Sequence, residues 1–155
     1  MLRTPQYREF VNQLQKRYSV RVSSAEELET LLDELLRQSI TEYDFYHLLR
    51  ALSHQNEHLF RRISLEYLPA ILYKLEGEKV VRACPLSEDA LWYLLRAVDR
   101  DLLVPIVQHQ NVSHDFVVQA VAESVRVEAV RAIVALRPEL LLTEKLKRLL
   151  RYESL

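Results

Sequence analysis

The sequence predicts an all-α protein, a short α-solenoid-like stack of antiparallel helix pairs, and three observations carry that prediction. The 155 residues include one glycine, Gly77, where ordinary usage would supply about 7%. Tight hairpins, β-bulges and phosphate-cradling loops need positive φ or close backbone approach, which glycine provides most readily. A β-barrel, a dinucleotide-binding fold or a P-loop enzyme is therefore disfavoured. Second, apolar residues recur at helical spacing through most of the chain. Third, serine or threonine stands just ahead of several of those apolar runs, where a helix N-cap belongs. An irregular helical bundle is the alternative arrangement of the same elements.

Pro5 to Tyr18 reads as the first helix. Ser24-Ala-Glu-Glu27 fits a capping box, in which the serine oxygen takes an orphan amide and Glu27 reaches back. The helix it opens carries Leu28, Leu31, Leu32, Leu35 and Leu36 on one stripe. Thr41 caps a helix through Phe45, Leu48, Leu49 and Leu52. The next runs from Asn56 to an end at Gly77, kinked or divided at Pro69. Ser87 opens a helix with Leu91, Leu94, Leu95 and Val98. Leu102 to Val107 forms a shorter one, with Pro105 in its first turn or kinking it. Ser113 opens the helix of Phe116, Val117, Ala120 and Val121, and Val127 to Val134 marks another. Pro138 suits the first turn of a last element, and Thr143 begins a final stretch with Leu146, Leu149 and Leu150. Ser19–Val22 and Lys79–Cys84 alternate and are read as short extended pieces.

Composition bounds the function. Apolar residues form 49% of the chain and charged residues 28%, with a net charge of −1, so no global field holds nucleic acid or an anionic membrane. Charge is uneven locally. Residues 1–23 are basic, a possible N-terminal arm or helix, and residues 24–44 are acidic. The whole of 1–155 is read as a single helical-repeat-like domain. One cysteine, Cys84, allows neither an internal disulfide nor a cysteine-based zinc site. The first residues lack the apolar core of a signal peptide, and no apolar run is long enough to span a membrane. A reduced, cytoplasmic setting is expected.

The chain also repeats itself. Thr41-Glu-Tyr-Asp-Phe-Tyr-His-Leu-Leu-Arg-Ala-Leu52 aligns without gaps on Ser87-Glu-Asp-Ala-Leu-Trp-Tyr-Leu-Leu-Arg-Ala-Val98. Further on, residues 106–124, followed by Val127-Glu-Ala-Val-Arg-Ala-Ile-Val-Ala-Leu136, resemble HEAT-type or leucine-rich-repeat-variant helical repeats. The resemblance covers roughly residues 85–140. It departs from those families at Asn111-Val112, where their Asn-Pro or His-Pro turn is missing, and in its irregular period. It implies an α-solenoid fragment of the kind that serves as a binding surface, and it transfers no functional residues. Ala120, Ala122, Ala129, Ala132 and Ala135 would permit close helix approach there.

Catalytic and metal chemistry find little support. His54 and His58 are four apart, but Asn56 between them should break the helix, and Glu57 does not match a His-Glu-x-x-His site. His109 and His114 flank a turn, and His47 reads as a boundary residue. Cys84 has no base near it in sequence. No enzyme and no cofactor or metal is expected. Binding is the better reading. Tyr43, Tyr46, Trp92 and Tyr93 fall at related places in the two aligned helices, beside Arg50 and Arg96. Trp, Tyr and Arg are enriched among interface hot spots. Trp92 with Arg96 is the leading pair, with Tyr93, Tyr46 and Arg50 as further partner-binding residues. The expected function is a protein-interaction module: an adaptor, chaperone or regulatory subunit. Nucleic-acid binding through local basic patches is the alternative, using the N-terminal arm, Arg61-Arg62, or Lys145, Lys147, Arg148 and Arg151. Self-association is a third.

Overall fold

The computed structural model describes residues 4–97, 102–123 and 127–142. These residues are all-α. In chain order the α-helices are α1 (Pro5–Tyr18), α2 (Ala25–Arg37), α3 (Glu42–Gln55), α4 (Glu57–Leu72), α5 (Gly77–Ala83), α6 (Glu88–Ala97), α7 (Leu103–His109), α8 (His114–Glu123) and α9 (Val127–Leu136). A 3-10 helix, Pro138–Leu142, follows. No strand occurs among the described residues, so Ser19–Val22 is irregular and Lys79–Cys84 is mostly the helix α5. The stretch from Thr143 lies outside the described residues, as does Val98.

Hydroxyl caps set most of the starts. The oxygens of Thr4, Ser24 and Thr41 accept from the amides of Tyr7, Glu27 and Asp44. Ser87 and Ser113 do the same for Ala90 and Phe116. The capping box of α2 is displaced by one residue. Glu27 reaches back to the Ser23 amide at 3.1 Å and the Ser23 hydroxyl at 2.9 Å, rather than to Ser24.

Two expectations about the middle of the chain fail. Gly77 does not end the Asn56 helix. α4 closes at Leu72, continuous through Pro69, and Gly77 is the buried first residue of α5. No described residue has positive φ, so this glycine serves by its small size at a packed helix start. Lys79–Cys84 alternates only superficially. Val80, Val81 and Ala83 turn inward as one face of a helix, and burial holds them there against the weak helical preference of valine.

The chain forms two compact units, residues 1–90 and 91–155, divided within α6. In the first, alternate helices lie side by side: α1 against α3, α3 against α5, and α2 against α4. α3 also meets α2 and α4, so α1, α3 and α5 form one layer and α2 and α4 another. Between them lie Leu28, Leu32, Leu35, Leu48, Leu49, Leu52, Phe60, Leu68 and Ile71, each burial worth about 1.5–3 kcal/mol. The layering accounts for part of the charge reversal along the sequence. Basic α1 belongs to one layer, and α2, with five carboxylates against Arg37, belongs to the other.

Two buried polar knots fix the first unit. Asn56, at the junction of α3 and α4, makes no capping bond of its own. It donates to the carbonyls of Val20 (2.9 Å) and Leu52 (3.0 Å) and accepts from the Val22 amide (2.8 Å). Its amide group thereby holds the irregular 20–22 segment onto α3. Tyr7 on α1 donates to the buried Asp44 carboxylate and accepts from the Thr41 amide at 3.2 Å, tying α1 to the start of α3.

In the second unit α7 packs on α8 and α9, and α9 on the 3-10 helix that Pro138 opens. Leu94, Leu103, Ile106, Phe116, Val117, Val121 and Ile133 are buried there. Of the small residues, Ala120 is buried, Ala122 and Ala132 are half-buried and Ala135 is exposed; nothing is described of the Ala129 side chain. Pro105 stands in the first turn of α7, where a missing donor is harmless.

Candidate functional site

The five residues expected to bind a partner fall in different units. Tyr46 and Arg50 belong to the first, and Trp92, Tyr93 and Arg96 to the second. Each set has its own surroundings.

Trp92 and Arg96 come together. One turn apart on α6, they place the guanidinium carbon 5.0 Å from the ring centroid, within cation–π range. The other edge of Trp92 meets Phe116 of α8, with centroids 4.7 Å apart. Trp92 and Tyr93 are half-buried and Arg96 is exposed. The tryptophan thus packs α6 against α8 and offers its remaining surface, covered in part by the arginine.

On α3 the same spacing gives a different result. Tyr43 is 61% exposed, Tyr46 is half-buried, and His47 and Arg50 are exposed. The His47 ring stands edge-on between two tyrosines, 4.3 Å from Tyr43 and 5.2 Å from Tyr46. These rings and α5 bound a half-open groove of about 400 Å³, lined by Glu42, Tyr43, Tyr46, His47, Lys79 and Arg82. Glu42 bridges the helices through Lys79 at 2.6 Å, and this hydrogen bond raises the lysine pKa above its ordinary value. Arg82 pairs along α5 with Glu78 at 2.9 Å. Both pairs are exposed, so each holds its side chains in place only loosely. Arg50 stands one turn beyond Tyr46, exposed and with no ion pair among the described residues. Lys79 and Arg82 were missed in the sequence because their segment read as extended. The three-residue separation of Lys79 and Arg82 was the one weak signal, since a seven-residue helix carries almost no periodicity.

The remaining candidates are occupied elsewhere or lie apart. His54 and His58 sit on either side of the break at Asn56, which was expected to interrupt the helix between them. No cluster of three metal-ligating side chains occurs among the described residues. Cys84 is fully buried, and burial pushes its thiol up to about 12, far from a thiolate. Of the proposed basic patches, Arg17 pairs with Glu34 and Arg61 with Glu57. Arg62 is exposed, and Lys145 to Arg151 lie outside the described residues. No described helix is long and apolar enough to cross a membrane.

No family model, curated protein or solved structure matches this chain.

Proposed function

We propose that the chain is a non-enzymatic protein-interaction module, an adaptor, chaperone or regulatory subunit, that docks a partner segment on its helical faces. The observation that carries this reading is the α3–α5 groove. Its tyrosine and histidine rings face solvent beside two cations whose carboxylate partners are exchangeable. Large rigid rings bury much area at little entropic cost, and cations orient the incoming chain. Trp92 with Arg96 supplies a second anchor, one that is already packed and so needs little ordering on binding. The packing of alternate helices supports a HEAT-like, α-solenoid-like reading of the repeats. A cytoplasmic setting suits the lone buried cysteine.

A tagged pull-down from the source lysate, with and without nuclease, tests this reading. The expected result is a stoichiometric protein that survives nuclease. Its affinity should fall by about tenfold or more with Tyr43→Ala plus Arg50→Glu, or with Trp92→Ala plus Arg96→Glu. Recovery that vanishes with nuclease would replace this reading with nucleic-acid binding. A partner indifferent to both pairs of substitutions would move the site elsewhere.

A further inference from the structure

The outer face of α4 carries charges and apolar side chains that the groove does not explain. Leu65, Pro69 and Tyr73 recur every four residues and are exposed, Leu65 by 43% and Tyr73 by 92%. That spacing puts all three on one side of the helix. Tyr67 bonds Asp33 of α2 from the opposite side, so the stripe faces away from α2. Two exposed opposite charges, Arg62 and Glu66, lie one turn apart along the same stripe. Neither makes an ion pair among the described residues, although Glu57 and Arg61 on the same helix close at 2.7 Å. Helix polarity accounts for the contrast, because a glutamate four residues before a cation pairs with it better than one four residues after it. α4 therefore presents an uncommitted cation and an uncommitted carboxylate beside a line of apolar surface.

That order is complementary to its own reverse. When two such helices run antiparallel about a two-fold axis, each residue before the axis meets one after it on the other helix. With the axis beside Leu65, Arg62 of each copy comes level with Glu66 of the other, and both pairs fall on one edge of the contact. Leu65 meets its own counterpart at the centre, and Pro69 and Tyr73 reach over the exposed His58 end of the second helix. We propose that α4 pairs antiparallel with α4 of a second copy of this chain, through Leu65, Pro69 and Tyr73 and reciprocal Arg62–Glu66 ion pairs. A purely acidic or purely basic partner would satisfy one of the two charges, whereas a second copy satisfies both. α4 has 16 residues, a length of about 24 Å. One helix face of that length lies at the low end of the areas that hold protein complexes together, so the pairing is weak and depends on concentration. The stripe belongs to the α2–α4 layer and the groove to the other, so the two readings stand or fall independently.

Sedimentation equilibrium of the full-length chain, carried to high concentration, tests the proposal. Wild type should dimerise. Arg62→Glu and Glu66→Arg, made separately, each set like charges against one another across the two-fold and should weaken the dimer by about tenfold or more. Circular dichroism should remain unchanged, because both residues are exposed. Mixing the two variants restores opposite pairs between copies and should restore association. Oxidative cross-linking checks the register. Leu65→Cys should yield a disulfide-linked dimer, whereas His58→Cys, about 21 Å from its counterpart, should not. The native Cys84 is buried and takes no part. A wild-type chain that stays monomeric at every concentration overturns the proposal and leaves the stripe to a different partner. A dimer indifferent to both reversals, a mixture that stays monomeric, or cross-linking at position 58 in preference to 65 overturns it as well.

Discussion

Five residues after the capping hydroxyl, α3 carries Tyr46 and α6 carries Trp92, and an arginine follows four residues later in each. The two helices bury the same positions inward: Phe45 and Leu48 in one, Leu91 and Leu94 in the other. They differ on the flank. Trp92 lies against Phe116 and beneath Arg96, while Tyr46 keeps company with His47 and Arg50 extends into solvent. Equivalent hydroxyl caps, Thr41 and Ser87, and a shared leucine pair therefore build a similar helix twice, and the neighbour decides whether the aromatic side chain packs or lines a groove. A repeat in sequence reproduces the inner face of a helix far more faithfully than its outer one.

The inner faces provide the largest test. Leu49 and Leu95 occupy equivalent positions, but Leu49 is fully buried and Leu95 only half-buried. Leu49→Ala should cost about 2–5 kcal/mol in urea denaturation, since it leaves a cavity in a closed core. Leu95→Ala should cost clearly less. Two built-in reporters separate the regions: the reactivity of Cys84, the one cysteine, and the fluorescence of Trp92, the one tryptophan. Equal losses at both positions would break the comparison.

Cys84 adds a pH dependence to the first unit. Its folded pKa is raised to about 12 by burial, whereas an unfolded cysteine titrates near 8.5, roughly. Below the unfolded value both states carry the proton and stability is complete. Above it the unfolded chain ionises first, so stability falls by up to about 1.4 kcal/mol per pH unit until the folded pKa is reached. Urea melts across that window should show this slope, and Cys84→Ala should flatten it.

Asn56 comes next in size. Asn56→Ala removes three hydrogen bonds at once and strands the Val22 amide and the Val20 and Leu52 carbonyls. A loss of about 1–3 kcal/mol is expected, with hydrogen exchange at the Val22 amide rising more than the global loss requires. Unchanged protection there would show that another group takes over the bond.

These residues also mark how far the sequence could be read. Caps are local chemistry: a hydroxyl placed three residues before an orphan amide works wherever the helix lies, which is why Ser24, Thr41, Ser87 and Ser113 were legible. α5 was not, because seven residues with two adjacent valines carry almost no periodicity, and only burial against α3 and α4 makes them helical. The groove inherits that failure, since Lys79 and Arg82 of its lining come from α5. Tyr46 and Arg50 could be singled out as residues suited to binding. The grouping of Tyr46 with Lys79 and Arg82 in one groove required the fold. The role of Asn56 was half visible: it broke the helix as expected, but its attachment to a segment more than thirty residues earlier left no trace in spacing.

The two arginines provide the smallest and sharpest test. Arg96→Ala removes a cation stacked on an indole, and an exposed pair of this kind is worth about 0.5–1 kcal/mol. Arg50→Ala removes an exposed guanidinium with no ring or carboxylate partner among the described residues, so its effect on stability should be within about 0.5 kcal/mol of zero, as for most surface substitutions. Differential scanning fluorimetry checks both. The emission of Trp92 gives a second readout, because loss of the stacked charge changes the indole's surroundings in Arg96→Ala and should leave Arg50→Ala unaffected. If Arg50→Ala proves as costly as Arg96→Ala, Arg50 has a structural partner and its availability for docking is lost. If it costs nothing and still weakens partner capture, its side chain is one that the fold leaves open for binding.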